Sequence, residues 1–63
     1  ERLSSRERDV LKRLAAGLSM KEVAAELGIA TRTVAYHKYR MMEQLKVKST
    51  AELVQYAVKN HIV

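Results

Sequence analysis

The sequence predicts an all-α fold of four short helices. Three observations carry this. Apolar residues recur at steps of three and four in four separate stretches, the period of one helical face. Three Ser-x-x-Glu sequences, opening at Ser4, Ser19 and Ser49, mark helix starts. Gly17 and Gly28 fall where the first two apolar patterns stop, and the chain has no proline to break any of the four.

The first helix opens at Ser4-Ser5-Arg6-Glu7. Ser4 is placed to accept a hydrogen bond from the Glu7 amide while Glu7 reaches back to the Ser4 amide, a capping box. Val10, Leu11, Leu14 and Ala15 form its buried stripe, Leu3 packs from just outside, and Gly17 ends it. A second capping box, Ser19 to Glu22, starts a helix of about eight residues whose inward face is Val23, Ala24 and Leu27. Gly28 closes that helix and Ile29 dips into the core.

The third helix, Thr31 to Leu45, is the centre of the chain. Val34, His37, Met41 and Leu45 lie on one face, and Arg32, Ala35, Tyr36, Tyr39 and Glu43 lie roughly opposite. Thr33 and Arg40 border one side of that outer face, and Thr31, Lys38 and Met42 the other. Thr31 is expected to cap this helix, without the Glu or Gln that would complete a box. The helix is expected to fray near Lys46 to Lys48. A third box, Ser49 to Glu52, opens the last helix, with Leu53, Val54, Ala57 and Val58 as its apolar stripe and Ile62 and Val63 trailing. No repeat, linker or low-complexity tract divides the chain, so residues 1–63 form one domain.

Composition narrows the function. The 63 residues carry a net charge of +5, unevenly placed. Residues 28–48 hold Arg32, Lys38, Arg40, Lys46 and Lys48 against Glu43 alone, whereas residues 49–63 balance Lys59 against Glu52. A basic stripe on one helix is the footprint of a polyanion binder. There is no Cys, and His37 and His61 lie far apart with no third ligand in view, so neither a metal site nor another cofactor is expected. No apolar run is long enough to span a bilayer and no signal peptide is visible, which points to a cytoplasmic protein. No nucleophile–base pair, carboxylate pair or phosphate-gripping Gly loop is present, so an enzyme is not expected. The chain opens on Glu1 rather than Met and is expected to be part of a longer protein.

From Met20 to Tyr39 the second and third helices match the helix-turn-helix pattern. Ala24 is small where the two helices cross, Gly28 permits a left-handed turn residue, and Ile29 and Val34 lock the steep crossing. That geometry lets the third helix protrude into a DNA major groove, about 12 Å wide.

Leu3-Ser4, Arg6-Glu7-Arg8, Val10-Leu11, Ala16-Gly17, Lys21-Glu22-Val23-Ala24, Leu27-Gly28-Ile29, Thr33-Val34, His37 and Leu45 together resemble the LuxR-type (NarL/FixJ-type) DNA-binding domain. The resemblance runs from Leu3 to about Ala57. It implies a four-helix fold, sequence-specific binding of double-stranded DNA and dimerisation, often through the last helix. It also implies the C-terminal output module of a bacterial response regulator or quorum-sensing regulator. The expected partners are DNA, a second copy, an N-terminal regulatory domain of the same chain and RNA polymerase. Two positions depart from the family pattern: Ala35 stands where Lys is common, and Thr50 where Arg is common.

Base contacts are assigned to Arg32, Ala35, Tyr36 and Tyr39. Arg32 suits guanine O6 and N7, Ala35 a thymine methyl, and the tyrosine hydroxyls base edges. Phosphate contacts are assigned to Lys21, Thr31, Thr33, His37, Lys38 and Arg40. His37 also reads as a half-buried packing residue; the resemblance favours the phosphate role. Ala51, Gln55, Val58 and Lys59 lie off the Leu53–Ala57 face and are the candidate dimer surface. Two rival readings use the same residues: a sigma-factor-like promoter-recognition domain, and a helical bundle that offers its tyrosine face to an acidic protein.

Overall fold

The computed structural model describes residues 3–62. It contains four helices and, among the described residues, no strand: α1 Ser5–Ala15, α2 Met20–Leu27, α3 Thr31–Leu45 and α4 Thr50–Lys59. The domain measures 27 × 20 × 19 Å. No helix among the described residues is long and apolar enough to cross a membrane.

The helix starts follow the Ser-x-x-Glu rule at α1 and α2. Ser4 Oγ accepts from the Glu7 amide at 3.1 Å and Glu7 Oε1 accepts from the Ser4 amide at 2.9 Å. Ser19 and Glu22 repeat the exchange at 3.1 and 2.8 Å. At α4 the third box is only half built. Ser49 Oγ accepts from the Glu52 amide, but the Glu52 carboxylate reaches one residue further back, to the Lys48 amide at 2.6 Å. Ser49 has φ −146°, more extended than the other two caps at −69° and −74°. At α3 the expected Thr31 cap is absent. Thr31 is already helical, Ala30 is the N-cap, and no side chain bonds the exposed amides there.

All four helices end by one device, a left-handed residue followed by an apolar residue that docks on the core. Gly17 (φ 97°), Gly28 (φ 69°), Lys46 (φ 59°) and His61 (φ 57°) are the left-handed residues. The next amide then bonds back five residues: Leu18 to Arg13, Ile29 to Ala24, Val47 to Met42 and Ile62 to Ala57. This is the Schellman arrangement, with its apolar follower. The two glycines announce it in the sequence; Lys46 and His61 do not.

The core draws on every helix: Val10 and Leu11 from α1, Val23 from α2, Val34 and Met41 from α3, Leu53 and Ala57 from α4, all but Ala57 among the largest fully buried side chains. Leu3 and Ile62 close its ends. Helix α3 packs against each of the other three, most extensively against α2. The α4 stripe is narrower than expected, because Val58 is 58% exposed and Val54 only half-buried. Val63 lies outside the described residues.

Candidate nucleic-acid interface

The outward face of α3 follows from its packing. Val34 and Met41 are buried, so residues about half a turn away project from the domain. Arg32 is exposed, Ala35 half-buried, and Tyr36 and Tyr39 are 58% and 56% exposed. Among the described residues, two of the three exposed large hydrophobic side chains thus sit one above the other on a single helix. An exposed aromatic pair of this kind lies outside the core and marks a candidate contact surface.

The residues assigned to phosphate fall into two groups. Lys21 is exposed at the start of α2, Thr31 exposed and Thr33 half-buried in the first turn of α3. The two threonines belong to an N-terminus with no side-chain cap and no acid in its first turn. Amides so placed attract anions. The second group is engaged within the domain. Arg40 Nε lies 3.6 Å from the Glu7 carboxylate, and its Nη1 donates to the Tyr36 hydroxyl at 3.3 Å. Lys38, expected to flank the face and meet a phosphate, is instead buried at 9% exposure. Its ammonium donates to Thr50 Oγ1 at 3.0 Å and lies 4.6 Å from the centre of the Tyr39 ring. The reason is geometric: Lys38 lies one residue on from His37 and four on from Val34, so it turns toward the start of α4 rather than outward. A free phosphate contact from Lys38 does not fit this placement.

His37 is half-buried, with its ring edge-on to Tyr36 at 5.6 Å between centroids. It lines an open groove with Leu3, Ser4, Glu7, Tyr36, Arg40 and Gln44, between the start of α1 and the flank of α3. Across the domain, Ala51, Gln55, Val58 and Lys59 are all exposed along α4. Arg13 and Glu26 pair at 2.9 Å and tie α1 to α2. Neither this pair nor the Glu7–Arg40 and Lys38–Thr50 contacts is signalled in the sequence. Each joins residues twelve or more apart, and only the folded arrangement brings them together. Among the described residues no group of three His, Asp or Glu side chains is placed to hold a metal.

A short helix joined by a left-handed turn to a longer one, which projects arginine and two tyrosines beside an uncapped N-terminus, defines a helix-turn-helix domain of the DNA-binding, transcription-regulating class. The model of the bacterial regulatory proteins of the luxR family matches residues 1–57, and the chain belongs to that family. It is 45% identical over 53 residues to the transcriptional regulatory protein UhpA of Escherichia coli strain K12, covering 84% of this chain and 27% of that protein. It is 41% identical over 61 residues to the oxygen regulatory protein NreC of Staphylococcus carnosus strain TM300, covering 97% of this chain and 28% of the relative. Among solved structures it resembles the response regulator ChrA of a heme-sensing two-component system, with a TM-score of 0.92 and 30% identity over all of this chain and 31% of that one. The chain therefore spans little more than a quarter of the curated relatives it matches. Family membership sets aside the sigma-factor-like and protein-interaction readings.

Proposed function

We propose that this domain reads a specific duplex DNA sequence by placing α3 in the major groove, and that it acts as one of two paired copies. The observation that carries the reading is the outward face of α3, where two tyrosines stand more than half exposed beside Arg32 and Ala35. Arg32, Ala35, Tyr36 and Tyr39 contact bases. Arg32 offers a fork to guanine, Ala35 a methyl-sized contact to thymine, and the tyrosines hydroxyls to base edges. Lys21, Thr31, Thr33 and His37 contact phosphates and fix the register, with the first-turn amides of α3 aimed at the backbone. Arg40, whose side chain is 60% exposed, also meets a phosphate, and Lys38 contributes to the positive field from its place beneath Tyr39.

The exposed α4 residues Ala51, Gln55, Val58 and Lys59 form the two-fold contact between copies bound to half-sites about one helical turn apart. One such module buries roughly 600–1,000 Å² on DNA, so a single copy binds weakly and pairing supplies the rest. The similarity to UhpA, NreC and ChrA supports a place at the C-terminal end of a cytoplasmic two-component response regulator. An N-terminal regulatory domain and RNA polymerase are then its further partners, and binding rather than catalysis is its work.

Selection of the 63-residue chain on a pool of randomised duplex DNA at moderate salt tests this. Two copies of a motif at fixed spacing are expected. A single half-site would remove the dimer, and no enrichment at all would remove sequence reading by α3.

A further inference from the structure

Both cations that border the reading face of α3 are occupied, and each holds a tyrosine. We propose that Lys38 and Arg40 are positioning residues for base recognition, each fastening one reading tyrosine to a different neighbouring helix. The proposal rests on the reading above, in which Tyr36 and Tyr39 meet bases.

On one side the chain of contacts starts in α1. Glu7 is 5% exposed, and its Oε1 is committed to the Ser4 amide at 2.9 Å, so the capping box fixes the carboxylate. Its Oε2 faces Arg40 Nε at 3.6 Å, and the rigid guanidinium fork then directs Nη1 to the Tyr36 hydroxyl at 3.3 Å. On the other side the chain of contacts starts in α4. Ser49 caps that helix, so the Thr50 hydroxyl is not needed for capping and accepts from Lys38 Nζ at 3.0 Å. The ammonium in turn sits 4.6 Å from the Tyr39 ring centre, a cation–π distance. A buried ammonium needs such partners, since burial without them is costly.

The effect is preorganisation. Two exposed aromatic side chains otherwise lose rotamer freedom on meeting DNA, and tethers made before binding reduce that loss. The tethers differ in origin, so their loss should be felt at different base pairs. Glu7 acts on the base read by Tyr36, and Thr50 on the base read by Tyr39. The second tether also joins the reading face to the helix proposed to pair the two copies.

The test compares Glu7→Gln, Thr50→Val and Thr50→Ser in the 63-residue chain. Glu7→Gln keeps an oxygen for the Ser4 amide but removes the charge that holds Arg40. Thr50→Val keeps the shape and removes the hydroxyl, and Thr50→Ser restores it. In the duplex selection, Thr50→Val should flatten preference at one position by about fivefold, the worth of one ordinary hydrogen bond. Glu7→Gln should do so at another position, and Thr50→Ser should keep the parent profile. Without DNA, the ring resonances of Tyr39 should shift in Thr50→Val and not in Glu7→Gln. Uniform weakening with an unchanged profile, equal behaviour of the Val and Ser variants, or unmoved Tyr39 resonances would overturn the proposal. If the parent chain selects no motif, the base-reading role of α3 falls and this inference with it. A parent motif that survives both variants overturns this inference alone.

Discussion

Salt dependence separates a cation that touches phosphate from one held inside the domain. Lys21 is exposed at the start of α2, whereas Lys38 is buried beneath Tyr39 and bonded to Thr50. On duplex DNA each phosphate neutralised contributes about −0.9 to the slope of log K against log salt. Between about 50 and about 200 mM salt this makes one contact worth roughly 3.5-fold in affinity. Lys21→Ala should therefore flatten the slope by about 0.9 and weaken every duplex alike. Lys38→Met keeps the volume and removes a charge that is held on Thr50 and Tyr39 and so is poorly placed to displace counterions from a phosphate. Its slope should stay close to the parent's, and the change should appear as altered preference at the base read by Tyr39. Fluorescence anisotropy of a labelled duplex, titrated at several salt concentrations with matched and mismatched sites, reads both quantities. The division of roles is refuted if Lys38→Met flattens the slope as much as Lys21→Ala does while leaving the sequence profile intact.

Three further outcomes follow from the geometry. Gly28→Ala should destabilise the domain by about 1 kcal/mol and Lys46→Gly should stabilise it by a similar amount, because both positions are left-handed, at φ 69° and 59°. In a domain of this size each change corresponds to a melting shift of roughly 4–8 °C, and calorimetry showing shifts of the same sign for both would contradict it. The pair Ala30→Ser with Thr33→Glu builds the capping box that α3 lacks, so thermal melting should rise by the worth of a cap, about 1 kcal/mol, while duplex affinity falls; a variant that melts higher and binds as before would show that the α3 N-terminus meets no phosphate. Val58→Asp should abolish paired binding to two half-sites in a mobility-shift assay and leave binding to one half-site unchanged, and equal loss on both would move the dimer contact elsewhere.

The helices, the helix-turn-helix and the exposed face of α3 were legible because each rests on local signals. Val34, His37, Met41 and Leu45 repeat at helical spacing, and the boundaries Thr31 and Leu45 agree with the structure. The core residues Val10, Leu11, Val23, Val34, Met41, Leu53 and Ala57 all come from expected stripes. What the sequence concealed lies between helices. Glu7 reads as half of a capping box, and nothing in its neighbourhood reveals that its second oxygen meets Arg40 across the domain. Lys38 lies at the border of two faces on a helical wheel, and only the position of α4 decides that it turns inward. Lys46 and His61 adopt a conformation that favours glycine, because the docking of Val47 and Ile62 on the core outweighs the local cost. Thr31 looked like a cap by residue type, yet the chain enters the helix one residue earlier, at Ala30.

The ends of the four helices are alike and their starts are not, and the difference bears on function. Every helix closes with a left-handed residue and an apolar follower, a purely structural device. Three helices open with a serine cap and a glutamate in the first turn, and α3 alone has neither. A serine at Ala30 would compete for the amide donors, and a first-turn acid would oppose the partial positive charge of the helix end. Omitting the cap costs about 1 kcal/mol, an appreciable share of the stability of so small a domain. The compensation comes from packing, since α3 lies against all three other helices and buries Val34 and Met41 completely. Stability is thus supplied from the inner face of α3, which leaves its amino end and its outer tyrosines available to a polyanion. A helix kept for structure alone would have no reason to forgo the cap that its three neighbours carry.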